Sequence, residues 1–333
     1  MRSATLRPLL LFAALAVAVL ALPAFVNDFR AQQFAYVGIY LTALIGLNIL
    51  TGYTGQISLG HGAFMAIGGY TTSILMLDHG VKDLATIPLA ILVAGAAGVL
   101  FGLPAARLSG LYLALATFAI AVATPAVIKK FEGFTGGGSG INLFGLPELT
   151  ASLTSVRAFG VELNFNNWLY YLAWTVALIG YVLAWLILRG RTGRAFRAVR
   201  DSETAATSSG VNLSRTKVLA FGISAAYAGA AGSLFAIATT FVNPDTFPVT
   251  LSIVLLVGVV VSGLGSLTGL IAGAIFIQFL PLWAQSVTKS PGAPAVVYGV
   301  ILIAVVLALP AGAAGLIARI PRRRSIRKTF QKL

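Results

Sequence analysis

Leu47-Asn48-Ile49-Leu50-Thr51-Gly52-Tyr53-Thr54-Gly55-Gln56-Ile57-Ser58-Leu59-Gly60-His61-Gly62 is the stretch whose reading decides the fold. It lies between two long apolar runs, yet it carries Gly52, Gly55, Gly60 and Gly62, the amide of Gln56, the hydroxyl of Ser58 and His61, one of two histidines. Glycine permits positive φ and close backbone approach, so a helix can end, turn and restart here. Hydrocarbon offers no partner to the peptide groups that such an opening frees, so the break must be walled by protein or line a watery cavity. Half-helices meeting at depth present N–H and C=O groups to a solute without any charged side chain. Gly52, Gly55, Gln56, Ser58, Gly60 and His61 are therefore expected to line a translocation pathway. His61 has a second reading, a core histidine bonded to a backbone carbonyl, and the glycines have one too, tight helix packing.

Composition carries the argument outward. Of 333 residues, 58% are hydrophobic and 10% charged, more apolar surface than a soluble domain can hide. The fold class expected is an all-α polytopic membrane protein forming a single transmembrane domain over 1–333. Apolar segments fall near 9–26, 33–50, 62–77, 84–105, 111–128, 168–188, 217–240, 250–262, 267–287 and 294–310, which predicts eight to ten transmembrane helices, some broken at glycines. The first follows Arg2 and Arg7 without a clean small-x-small cleavage site, so it reads as a retained helix. The net charge of +14 has a topological meaning, because the basic residues sit at helix flanks rather than along one soluble face, which argues against nucleic acid. With both termini cytoplasmic, seventeen of the 23 basic residues fall inside, in loop 189–216 and tail 317–333 above all. Seven of the nine acidic residues then face outward, leaving Asp201 and Glu203 inside. The absence of cysteine excludes disulfides and thiolate metal sites.

A long outer loop, 129–167, holds the run Gly136 to Gly140 around Ser139. No Lys-Ser/Thr follows it, so it is no phosphate loop; it is either flexible or a close-packed surface for an external partner. A second, weaker break occurs at Ser262-Gly263-Leu264-Gly265-Ser266-Leu267-Thr268-Gly269. Two such interruptions suit an internal repeat around a central path, which adds Gly263, Gly265 and Ser266 to the candidate pathway. Small residues four apart, Gly265, Gly269 and Gly273, suit helix packing equally well.

The loop 189–216 has its own order. Residues 190–200 have helical spacing, with Ala195, Phe196 and Val199 on one side and Arg194, Arg197 and Arg200 elsewhere, the pattern of an interfacial helix beside anionic lipid. After it, Asp201 or Ser202 can cap a short helix that places Glu203 at the positive dipole end. Ala205 and Ala206 give that helix a slim face, and Gly210 is a natural stop. A capped, small-faced helix between two spans fits a groove on another protein.

Three motifs in order carry a family resemblance. Glu203-x-Ala205-Ala206-x-x-x-Gly210 resembles the cytoplasmic coupling motif of bacterial ABC importer permeases. Gly52 to Phe64 is similar to the signature of branched-chain amino-acid permeases, and Asn243-Pro244-Asp245-x-Phe247 with Gly263-x-Gly265-Ser266-Leu267-x-Gly269 fits the same family. Length, basic loop and outer loop resemble the M type of permease subunit. The resemblance implies an ABC importer permease fold and an assembly with a second homologous permease subunit, two cytoplasmic ABC ATPases and a secreted solute-binding protein in a bacterial inner membrane. It implies that Asp201, Glu203, Ala205, Ala206 and Gly210 receive the ATPase stroke. ATP is used by the partner subunits, since this chain has no Walker motif, and no cofactor or metal is expected. Urea and short-amide permeases share the architecture and stand as the alternative substrate class. A stand-alone carrier or channel would have no use for the Glu203–Gly210 motif. An intramembrane enzyme would need an acid–base, metal or nucleophile constellation, and none is visible.

Overall fold

A computed structural model describes residues 22–24, 26–147, 149, 157–158, 161–162, 164–287, 293–308 and 312–315. Helix α1 (Asp28–Asn48) is largely apolar, and it is buried on every side from Leu41 to its end. It continues into a π-helical turn, Ile49–Tyr53. Around it stand α2 (His61–His79), α3 (Asp83–Ala105), α4 (Gly110–Lys130) and α5 (Phe165–Arg189). Two short helices follow, α6 (Arg191–Asp201) and α7 (Glu203–Ser208). The chain then builds α8 (Leu213–Thr239), α9 (Val249–Ser262), α10 (Leu270–Val287) and α11 (Ala293–Ala308).

Six helical segments among the described residues are long and apolar enough to cross a membrane: Asp28–Tyr53, Asp83–Ala105, Gly110–Lys130, Phe165–Arg189, Leu213–Thr239 and Pro244–Ser262. The chain is thus an all-α multi-pass membrane protein with six such helices, which corrects the expectation of eight to ten. The difference has identifiable causes. The segment at 62–77 does form a helix, but α2 carries Gly62, Gly68, Gly69, Thr72 and Ser73 and is enclosed by protein, so it is too polar to meet lipid. The segment at 267–287 loses its first residues to the second glycine break and starts only at Leu270. The segment at 294–310 yields a helix of 16 residues, short of the roughly 20 that a bilayer core requires. The expected first span lies almost wholly outside the described residues, as does the basic tail.

Helix association relies on small residues rather than on large apolar ones, because lipid tails are as apolar as leucine. Helix α8 packs along both α3 and α2. A Cβ at Gly68 would lie 2.2 Å from the Gly229 carbonyl oxygen, and one at Gly232 would lie 1.9 Å from that of Met65. A few cross-helix hydrogen bonds fix rotation: Thr72 Oγ1 donates to Ser233 Oγ at 2.6 Å, Trp174 Nε1 to Phe34 O at 3.0 Å, and Tyr227 Oη to Gly180 O at 2.6 Å.

At one end of the bundle, Ile141–Asn142 pairs antiparallel with Phe241–Val242. This end also holds the glycine run. A Cβ at Gly140 would stand 2.5 Å from the Val242 carbonyl oxygen, so the end of the run packs against the strand pair, while Gly138 meets open space. Helix α8 is 27 residues long, about 40 Å, and its first turn lies at the opposite end, beside α7. The small-residue packing yields a stability prediction. Gly232→Val forces α8 off α2 and should lower stability by about 1–3 kcal/mol, read as a drop in thermal midpoint in detergent. Gly133→Ala, where a Cβ meets open space, should leave the midpoint unchanged.

Candidate functional site

The first break is a re-entrant segment rather than a surface turn. His61, the first residue of α2, bonds through Nε2 to the carbonyl oxygen of Ala43 at 2.9 Å. Ala43 lies ten residues before the end of the π turn, so α2 starts about 15 Å back inside the bundle, at 1.5 Å per residue. Residues 55–60 run between those levels without helical structure. Gly55 begins the reversal at φ +72°, in the left-handed region.

The opened backbone is sealed largely from the side. Gln56 N donates to Leu50 O at 3.1 Å, and Thr51 Oγ1 donates to Gln56 O at 3.2 Å. Leu59 N donates to Thr117 Oγ1 on α4 at 2.9 Å, Gly60 N to Ser58 Oγ at 3.3 Å, and Gly62 N to Ser252 Oγ on α9 at 2.8 Å. Exposure alternates along the segment: Gly55 and Ile57 turn to the open side, while Gln56, Ser58 and Gly60 turn inward. Gln56 Nε2 is bound to Thr54 Oγ1 at 3.0 Å, and Oε1 is buried without a partner among the described residues. The polar side chains of the break thus serve mostly its own architecture, and its open face is backbone, Gly55 and Ile57.

The second break folds against the first. Asn48, fully buried, donates through Nδ2 to Ser266 O at 3.1 Å and accepts at Oδ1 from Gly265 N at 3.0 Å. Gly263 and Gly265 adopt φ +98° and +73°. A Cβ at Gly52 would lie 2.4 Å from Gly265 N, so the two breaks touch through backbone. Gly52, Gly263, Gly265 and Ser266 therefore gather at one level, while Gly60 and His61 lie deeper in the bundle.

The basic loop reaches the same point. Phe196 and Val199 of α6 are buried against protein, not turned to lipid, and the helix packs on α8 and the π turn. At its end Arg200 donates through Nη1 to Gly52 O at 3.1 Å, and through Nε and Nη2 to Asp201 Oδ1 at 3.1 and 3.0 Å. Ser202 caps α7 by accepting from Ala205 N at 3.2 Å. Glu203 forms an ion pair with Lys217 of α8 at 2.8 Å; the lysine side chain is 5% exposed and the glutamate 46%. The two alanines divide: Ala206 is buried and Ala205 faces outward. Gly210 ends the unit at φ +82° with open space beside it, so its constraint is conformational.

Sequence reasoning missed Asn48, Thr117, Arg200, Lys217 and Ser252, which hold these parts together. Asn48 was discoverable as the one amide in the apolar run ahead of the break, and Lys217 as a charge one turn inside an apolar span. Arg200 looked like one of several equivalent arginines. Among the described residues no cluster of three histidine, cysteine or acidic side chains could hold a metal.

A family model described as the branched-chain amino acid transport system permease component matches residues 30–308. The chain is 36% identical over 289 residues to the high-affinity branched-chain amino acid transport system permease protein LivM of Salmonella typhimurium, covering 82% of this chain and 68% of that protein. Against its counterpart in Escherichia coli the identity is 35% over 288 residues, with the same coverage. The autoinducer 2 import system permease protein LsrC of an Enterobacter species is 31% identical over 201 residues, covering 58% of this chain and 54% of that one. No solved structure matches. With most of its length matched, the chain belongs to the family of permease components of branched-chain amino acid transport systems.

Proposed function

We propose that this permease subunit forms one wall of a pathway that moves branched-chain amino acids into a bacterial cytoplasm, driven by separate ATPases that dock on α7. Members of the family work within ABC transporter complexes that include ATPase and solute-binding components. A second homologous permease would supply the facing wall. The basic loop at α6 and α7 sets that end cytoplasmic by the positive-inside rule, and the strand pair with the glycine run beside it then faces the solute-binding protein.

The observation that carries this reading is the convergence of the two glycine breaks and the stem of α7 on one point, around Asn48, Gly52, Gly265 and Arg200. Helix α6 packs on the π turn at this joint and carries α7 at its end, so a push on α7 can change the joint. The open side of residues 55–59 offers peptide groups and an isoleucine. Such a lining suits a zwitterion with an aliphatic side chain, because it binds weakly and lets go. A deep ionised group would trap the solute or exclude it, and selectivity resides in the secreted binding protein. Transport follows as a population shift between two packings, biased by partners at both faces.

Two variants test the two halves of this reading in proteoliposomes holding the whole importer. Ala205→Trp projects a large ring from the exposed face of α7 without touching the bundle, and should release the ATPases and bring uptake to background. Gly55→Val places a branched side chain at positive φ and against the Arg200 stem, 3.1 Å from its Cγ. It should cut uptake roughly tenfold or more, a strain of about 1–3 kcal/mol, with the ATPases still bound. Undiminished uptake in the first variant removes the docking role, and in the second the pathway role.

A further inference from the structure

Arg200 lies against both glycine breaks, which are remote in sequence from it and from each other. Its guanidinium donates to the Gly52 carbonyl at 3.1 Å. The same Nη1 stands 3.0 Å from where a Cβ on Gly265 would be, and the Arg200 Cγ stands 3.1 Å from the Cβ position of Gly55. The other two nitrogens are held by Asp201, the last residue of α6, next to the Ser202 cap of α7. A side chain at Gly55 or Gly265 would occupy this space, so the close approach is specified from both breaks. Asn48 closes the loop by bonding the second break in both directions, as donor to Ser266 O and acceptor from Gly265 N.

The other arginines of α6 have no such geometry. Arg197 donates to Leu188 O at 3.3 Å, back onto the helix that precedes it. A lysine at 200 could make one of the Arg200 bonds but not the fork, because the planar guanidinium presents donors on two edges at once. The bond to Gly52 also has an alternative state. If α6 and α7 move as a unit, Arg200 either carries the Gly52 carbonyl with it or releases it. In the second case a peptide group that had a charged partner must find another, and hydrogen bonds to charged groups are worth more than neutral ones.

We infer that Arg200 is the positioning residue that transmits displacement of α7 to both glycine breaks, through Gly52 directly and through Asn48 to Gly265. The inference rests on the reading of α7 as the ATPase-docking helix. It adds a specific route, a charged fork on a backbone carbonyl, in place of a general movement of the bundle.

The native chain has no cysteine, so it can be labelled at chosen positions before assembly with its partners. Ile57→Cys and Leu264→Cys place labels on the two breaks at side chains 44% and 54% exposed. In the full importer in nanodiscs, trapping the ATPases with nucleotide should shift the label separation by on the order of 2–5 Å. Arg200→Met should abolish that shift and lower uptake per ATP hydrolysed roughly tenfold, the scale of one hydrogen bond to a charged group. Arg200→Lys, which keeps the charge and guards against a folding defect, should lose at least about half of the shift, because only one bond of the fork survives. Crosslinking from Ala205→Cys to the ATPase reports docking separately and should persist in both variants. A full-size shift in both Arg200 variants overturns the inference while leaving docking intact, and so does a native complex that crosslinks yet shows no shift. Failure of Ala205→Cys to crosslink in the native background overturns the docking reading and the inference with it.

Discussion

A peptide group in hydrocarbon must find its partner within the protein, and the whole arrangement around α1 answers to that constraint. Residues 55–60 leave the helix and run back into the bundle, freeing backbone donors at a depth where water is scarce. Thr117 from α4 and Ser252 from α9 meet two of the amides, Thr51 meets the Gln56 carbonyl, and Ser58 meets Gly60. Each of these hydroxyls sits in, or beside, an otherwise apolar element. Their positions specify which helices must surround the break, and in what rotation. The pathway candidate and the helix packing are consequently one problem, since moving α4 or α9 away would strip the break of its partners.

Close backbone contact solves the other half. Without water to expel between helices, association depends on contact density and on the few hydrogen bonds that cross. Helix α8 meets α2 and α3 through Gly222, Gly229 and Gly232 on its own side and Gly68 and Gly98 on theirs. That lets α8 serve as a spine between the two ends of the bundle, from Lys217 beside α7 to the strand pair after Thr239.

Much of this was legible in the residues themselves. The break at Gly52–Gly62 announces itself because glycine and polar groups interrupt an apolar run, and the stop at Gly210 because glycine tolerates positive φ. The helix count was not legible, because it depends on where each helix starts and stops: the second break takes the first residues of 267–287, and 294–310 forms only 16 helical residues. Helix α2 looks like a modest span but is enclosed, so its threonines and serines meet protein. Ala205 and Ala206 read as one small face, but six residues of helix turn them to opposite environments. Side-chain partners at long sequence separation were the least accessible. Nothing in the local sequence at Asn48 says that its amide will bridge residues 265 and 266, and nothing distinguishes Arg200 from Arg194 or Arg197 until the π turn brings Gly52 within reach.

The Lys217–Glu203 pair has a mechanical consequence. The ammonium is buried and the carboxylate half in water, so the two ends are unequally dependent on each other. If α7 were lifted from α8, Glu203 would be resolvated at once, while Lys217 would stay behind as an uncompensated charge. Stranding a fully buried charge in this way costs about 3–5 kcal/mol, and the half-exposed carboxylate makes the figure here smaller. The cost still has one sign. It acts as a restoring force that holds the short helix in its seat on α8.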